Sequence, residues 1–284
     1  MGKLGAVNVQ DEVGSQATEP VRGEKYYNLI SFIVSNAVAG ELTAVNNYSE
    51  MVHLAPDLET KLHLLRQAQE EAGHVKTLTA LCNRLGIPVA NRIVEPEWHR
   101  MRESFSAAAH RGDLAACVIM QDVMIETMAI VLYRTLAGLE SANTDAETTR
   151  VAKALLDDEM EHLAWGNETV RSMAAADPEK VHDALVWAHH RTMPEMFGLI
   201  RNGCDTLCDV LGVECGSFGV EEMSTDLDTL RMTALDTYIE SLDRAGFEPK
   251  VTAPLIASMS AYEGMPRASV GAQAGACAPE SGCC

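Results

Sequence analysis

Aromatic side chains are scarce in this sequence: five Phe, six Tyr and three Trp among 284 residues. Together with β-branched residues these are the side chains that pleated sheets favour. No segment shows the apolar–polar alternation of a half-buried strand either, which excludes a β-rich fold. Prolines number only ten, and long stretches of Ala, Leu, Met, Glu and Gln run without one, as in an all-α protein. Cations are also in short supply. Lys and Arg total 22 against 41 acidic residues, a formal net charge of −19, which repels phosphate backbones and makes nucleic acid an unsuitable partner. No run reaches the roughly 18 uninterrupted apolar residues of a membrane span. The first twenty residues lack the apolar core of a signal peptide. The expectation is a cytoplasmic protein without a transmembrane segment. There are eight cysteines, but Cys82 and Cys117 fall inside apolar helical stretches. The other six, at 204, 208, 215, 277, 283 and 284, crowd into the last third instead of forming a disulfide framework.

The chain divides into a flexible N-terminus (1–22), one helical domain (23–264) and a small, polar, Cys-containing tail (265–284). A first helix starts near Glu24 and stops at Ala55-Pro56-Asp57, where Asp57 can cap the next helix. The second ends at Gly86. A connection through Pro96 leads to a helix over about 97–110, closed by Arg111-Gly112-Asp113. The third long helix, from Asp113 to Gly138, is apolar nearly all round and so should be the most buried. The fourth follows the turn at Ser141–Asp145 and breaks at Asp177-Pro178. Further helices are expected at about 178–212, with Pro194 as a kink, and at about 218–246 and 250–262.

Two motifs carry the chemistry. Glu71-Ala-Gly-His74 and Glu159-Met-Glu-His162 each set a carboxylate and an imidazole three residues apart, on one face of a helix, where the pair can hold one metal. The helix before each motif contributes a glutamate, Glu41 and Glu126. Glu41 and Glu71 lie equally far in residues from the turn at Pro56, so at 1.5 Å per residue both arms climb about 22 Å and their side chains arrive level. Glu126 and Glu159 flank the turn around Asn143 in nearly the same way. The long stretch between His74 and Glu126 then serves as the crossover of a four-helix bundle. Four carboxylates in an apolar bundle repel one another unless divalent ions cancel their charge. Oxygen and imidazole donors suit iron or manganese. Glu71 and Glu159 are assigned as bridging ligands, Glu41 and Glu126 as terminal ones, and His74 and His162 as one nitrogen per metal. The other ring nitrogen of a metal-bound histidine needs an acceptor: Asp158 can serve His74, and Glu70 can serve His162.

Several stretches resemble the aldehyde-deformylating oxygenases, also called long-chain fatty aldehyde decarbonylases, of the ferritin-like di-iron superfamily. They are NAVAGELTAVNNY with Glu41 and Tyr48, the run from Gln121 to Tyr133 around Ile125-Glu126, DDEMEH at the second motif, and Ser260-Ala261-Tyr262. The resemblance implies a ferritin-like four-helix bundle with additional C-terminal helices, and a centre of two Fe with Fe/Mn as the variant. It also implies an enzyme that uses dioxygen and an electron donor such as ferredoxin and its reductase. That enzyme would turn an apolar substrate, a fatty aldehyde, into formate and a hydrocarbon one carbon shorter. Ala37, Gly40 and Ala44 beside the first ligand either leave room for that substrate or let helices pack closely. The Cys-rich end, and Cys204 and Cys208 one turn apart, depart from the family pattern. The tail is either an unstructured end or a thiol or metal site. Two other readings stand beside this one: an oxygenase of nitrogen, sulfur or another carbon centre, and an iron-storage or peroxide-scavenging ferritin-like protein. A tube-shaped apolar cavity at the metals would favour the aldehyde.

Overall fold

The computed structural model describes residues 22–89, 95–138, 144–211 and 227–264, the side chains of residues 95, 200–231 and 263–264 excepted. Among the described residues every regular element is helical: α1 Glu24–Met51, α2 Leu58–Leu85, α3 Glu95–His110, α4 Leu114–Val118, a π-helical stretch Ile119–Ile125, α5 Glu126–Leu136, α6 Ala146–Ala176, α7 Pro178–Leu211, α8 Leu227–Arg244, α9 Pro249–Ser258 and a closing 3-10 turn Met259–Gly264. The N-terminal lead-in, the Cys-containing tail and the side chains of Cys204, Cys208 and Cys215 lie outside the described residues.

Local chemistry sets the helix ends. Asp57, Asp113 and Asp145 accept hydrogen bonds from the backbone N–H of Thr60, Ala116 and Thr148, and Asp177 accepts from Lys180; each such cap contributes about 1 kcal/mol. Gly86 closes α2 at φ 68°, a left-handed conformation that glycine adopts without strain. Asp145 also joins distant parts of the chain, because Tyr26 of α1 donates to its carboxylate at 2.5 Å and its own backbone N–H donates back to the Tyr26 hydroxyl at 2.7 Å.

The hairpin α1–α2 packs against the hairpin formed by α4, the π stretch and α5 with α6, which completes the four-helix bundle. Helix α3 is the crossover and lies on α1 and α7, while α8 covers α5 and α6, and α9 with the 3-10 turn folds back on α7. Two core clusters meet at the height of Glu41: Ala37 and Val38 belong to one, Ala44 and Tyr48 to the other. Burial pushes the thiols of Cys82 and Cys117 up to about 11 and about 12, which leaves both protonated and inert.

Two expectations change, and a third is described only in part. The third long helix is not one regular α-helix, since seven residues around Gln121 and Asp122 widen into a π-helix. Of the helix expected over about 218–246, Leu227–Arg244 is described and is helical; residues 212–226 lie outside the described residues. Glu24–Met51 and Leu114–Leu136 are long and apolar enough to cross a membrane, which a count of uninterrupted apolar residues misses; 83 % of the most apolar stretch of the second is buried inside the protein, so its apolarity serves the core.

Candidate metal centre

All six expected residues converge at mid-height in the bundle, and all are buried. Glu41, Glu71, His74 and Glu159 offer one donor atom each within 4.8 Å of one another, and so do Glu71, Glu126, Glu159 and His162. Donors on opposite sides of one ion at about 2.1 Å stand about 4.2 Å apart, so each group is sized for one metal. Glu71 and Glu159 belong to both groups. The helical three-residue spacing brings this about: His74 Nδ1 lies 3.2 Å from Glu71 and 3.1 Å from Glu159 across the bundle, and His162 Nδ1 lies 3.3 Å from Glu159 and 3.0 Å from Glu71. The outer nitrogens have the acceptors read from the sequence, Asp158 for His74 and Glu70 for His162, each at 3.1 Å. With Nε2 donating outwards, Nδ1 can turn its lone pair to a cation at the centre once one displaces the proton there.

Both carboxylate oxygens of Glu71, both of Glu159, and Nδ1 of His74 and His162 are buried without a hydrogen bond of good geometry. Orphaned buried polar atoms cost several kcal/mol together unless something joins them. Their donor set of carboxylate and neutral imidazole fits a hard or borderline divalent cation. Charge tells the same story. Burial, and then the carboxylates of Glu71 and Glu159, hold Glu41 well above the ordinary carboxylate range; burial with Glu159 and Glu71 does the same to Glu126. Burial disfavours charge at His162 as well, yet Glu159 and Glu71 outweigh it and push the imidazole up to about 12, and His74 is raised in the same way by Glu159, Glu41 and Glu71. Protons therefore do here what cations would do.

A polar network supports the terminal ligands, and sequence reading missed it. Arg102 of the crossover helix donates to the Asn47 carbonyl at 2.9 Å, so the Asn47 amide donates to Gln121 Oε1 at 2.7 Å, and Gln121 Nε2 donates to Glu126 at 2.9 Å. Each amide is oriented by the one before it. Gln121 and Glu126 are five residues apart, the hydrogen-bond spacing of a π-helix, so the widened stretch brings them close to one face. The Tyr48 hydroxyl lies 2.8 Å from Asp122 and 2.9 Å from Glu126. Its single hydrogen serves one of them, and burial keeps a proton on the carboxyl side too, raising Asp122 to about 7. On the opposite side Tyr133 donates to Glu41. The one available signal was a polar pair, Gln121-Asp122, inside an otherwise apolar helix.

Glu41 and Glu126 also form part of the wall of an apolar cavity of about 130 Å³, whose other walls include Ala37, Ala44, Trp98 and Leu132. Both readings of the small residues on α1 apply. Ala37, Gly40 and Ala44 line the space, and Gly40 simultaneously admits the Trp98 ring, which a Cβ would meet at 3.0 Å.

The fold is shared with a solved protein from Synechococcus described as having aldehyde deformylating oxidase activity. The match has a TM-score of 0.68 at 17 % identity and covers 83 % of this chain and 97 % of that one. The family model for long-chain fatty aldehyde decarbonylases matches residues 23–251, a span that holds all six clustered residues, the π stretch and the cavity wall. By that match the chain belongs to the long-chain fatty aldehyde decarbonylase family.

Proposed function

We propose that this chain is a cytoplasmic, non-haem di-iron oxygenase that converts a fatty aldehyde into formate and a hydrocarbon one carbon shorter. The observation that carries the reading is the apolar cavity whose wall includes Glu41 and Glu126 of the carboxylate–histidine cluster. A centre that oxidised a polar nitrogen or sulfur compound would need polar groups around its substrate, and this lining favours hydrocarbon. Two iron ions bound at the cluster would supply the redox chemistry of dioxygen. Glu71 and Glu159 would bridge them, Glu41 with His74 would complete one site, and Glu126 with His162 the other. Asp158 and Glu70 fix the imidazoles, and the Gln121 amide and the Tyr133 hydroxyl orient the terminal carboxylates. The cavity wall holds the aldehyde carbon beside Glu41 and Glu126 and keeps bulk water off it. In the net reaction the C1–C2 bond breaks, C1 leaves as formate, and the chain gains a hydrogen. Electrons and protons from outside, with ferredoxin and its reductase as the donor pair, carry the remaining oxygen atom to water.

Iron-loaded protein supplied with dioxygen and a reducing system should release formate from medium and long aldehydes. Formate measured across chain lengths is the test; none at any length, from protein holding two irons, would overturn the reading.

A further inference from the structure

A second apolar cavity, about 260 Å³, lies between α5, α7, α8 and α9. It shares a wall with the first, since Met128 of α5 and Met196 of α7 line both. Helix α5 turns Ala129 and Tyr133 to the cavity beside the cluster and Thr127 to the second one, with Met128 between them. Six of the chain's 14 methionines line the second cavity: Met124, Met128, Met193, Met196, Met232 and Met259. Branched aliphatic side chains would fill such a space more rigidly. Methionine, unbranched and with three rotatable bonds, re-packs at little cost around an occupant of variable shape. Among the described residues no charged side chain lines the cavity, and its lining includes Met232, which is 55 % exposed, and exposed Ser260.

We propose that this methionine-lined cavity is the chain-length subsite. It receives the methyl end of an acyl chain whose carbonyl carbon lies beside Glu41 and Glu126, with Met128 and Met196 turning aside to join the two cavities. The inference rests on the fatty-aldehyde reading above and adds the extent of substrate the site accepts. Chains that end in the first cavity leave the methionines in place. Longer ones displace them and exchange water for apolar wall, and each further methylene tightens binding roughly fourfold.

Ala234 of α8 lines the second cavity and not the first, so Ala234→Trp fills the subsite from its rim, with Ala234→Leu as a milder version should the larger side chain impair folding. The experiment measures binding of unreactive fatty acids, from eight to eighteen carbons, to metal-loaded protein by displacement of a fluorescent fatty acid. Wild-type affinity should climb with length through the long acids. In the variants the climb should stop several carbons earlier, while octanoate, the shortest acid, serves as the internal comparison. An identical length profile in wild type and variants would overturn the subsite and leave the aldehyde reading standing. Failure of every fatty acid to bind wild-type protein would overturn both.

Discussion

A methyl group placed on Gly166 of α6 would sit 2.3 Å from Cβ of Asp122 and 3.2 Å from its carbonyl carbon. The π stretch thus approaches α6 more closely than any side chain allows. Alanine is the better helix former by about 1 kcal/mol, yet Gly166→Ala should lower stability by about 1–3 kcal/mol in urea unfolding through overpacking. It should also weaken iron retention, because Asp122 moves and Tyr48 with it. Two substitutions separate ligand from support. Glu126→Ala removes a donor from one group of four and should drop bound iron from two ions per chain towards one by elemental analysis. Asp158→Ala leaves all six donors in place and should cost about 10–100-fold in metal affinity. The six clustered residues were legible in the sequence because helix periodicity alone sets Glu71 with His74 and Glu159 with His162, and Asp158 and Glu70 adjoin those motifs. The roles of Tyr48, Asn47, Gln121 and Asp122 were not read, because the network that joins them crosses between helices at heights that no local spacing encodes.

At the scale of elements, helix ends were readable from the Asp57 cap, from Gly86 and from the turns between helices, whereas the π stretch was not. Widening a helix changes backbone hydrogen bonding without changing the apolar face, and only Gln121-Asp122 disturbs that face. The late helices are held to the bundle by a cluster that was equally invisible. His189 of α7 is buried, with Nδ1 3.0 Å from the Tyr238 hydroxyl of α8 and Nε2 3.4 Å from the Ser258 hydroxyl of α9, and His190 beside it contacts Tyr262 at 2.9 Å. Burial, aided by the charge of His190, lowers His189 to about 4. The unfolded chain binds this proton near pH 6.5 and the folded one does not until about 4. Stability from this group is therefore complete above pH 6.5 and is lost as pH falls through that window, by up to about 3 kcal/mol. His189→Gln should flatten the fall between pH 6.5 and 4 relative to wild type. Parallel pH profiles of the two proteins in thermal unfolding would refute this.

For the whole molecule, the bundle and its crossover followed from arms of equal length about Pro56 and nearly equal length about Asn143, a property of counting that survives any detail of packing. The two adjoining cavities did not follow, because they depend on how α7, α8 and α9 cross α5. Removing residues 265–284 takes away small polar residues with no helical face, so the truncated protein should keep its helicity and its iron by circular dichroism and metal analysis. Loss of iron would assign those cysteines a part in the centre. The buried oxygens of Glu71 and Glu159 that face the centre have one more consequence, which concerns the cell. Ions that satisfy them bind the folded chain and not the unfolded one, so the free energy of metal binding adds to that of folding. Chains made during iron starvation should open more often, meet proteases in that open form and disappear sooner. Nutrient supply would then set how long each copy lasts as well as whether it works, and pulse-chase half-lives in iron-replete and iron-starved cells would show it.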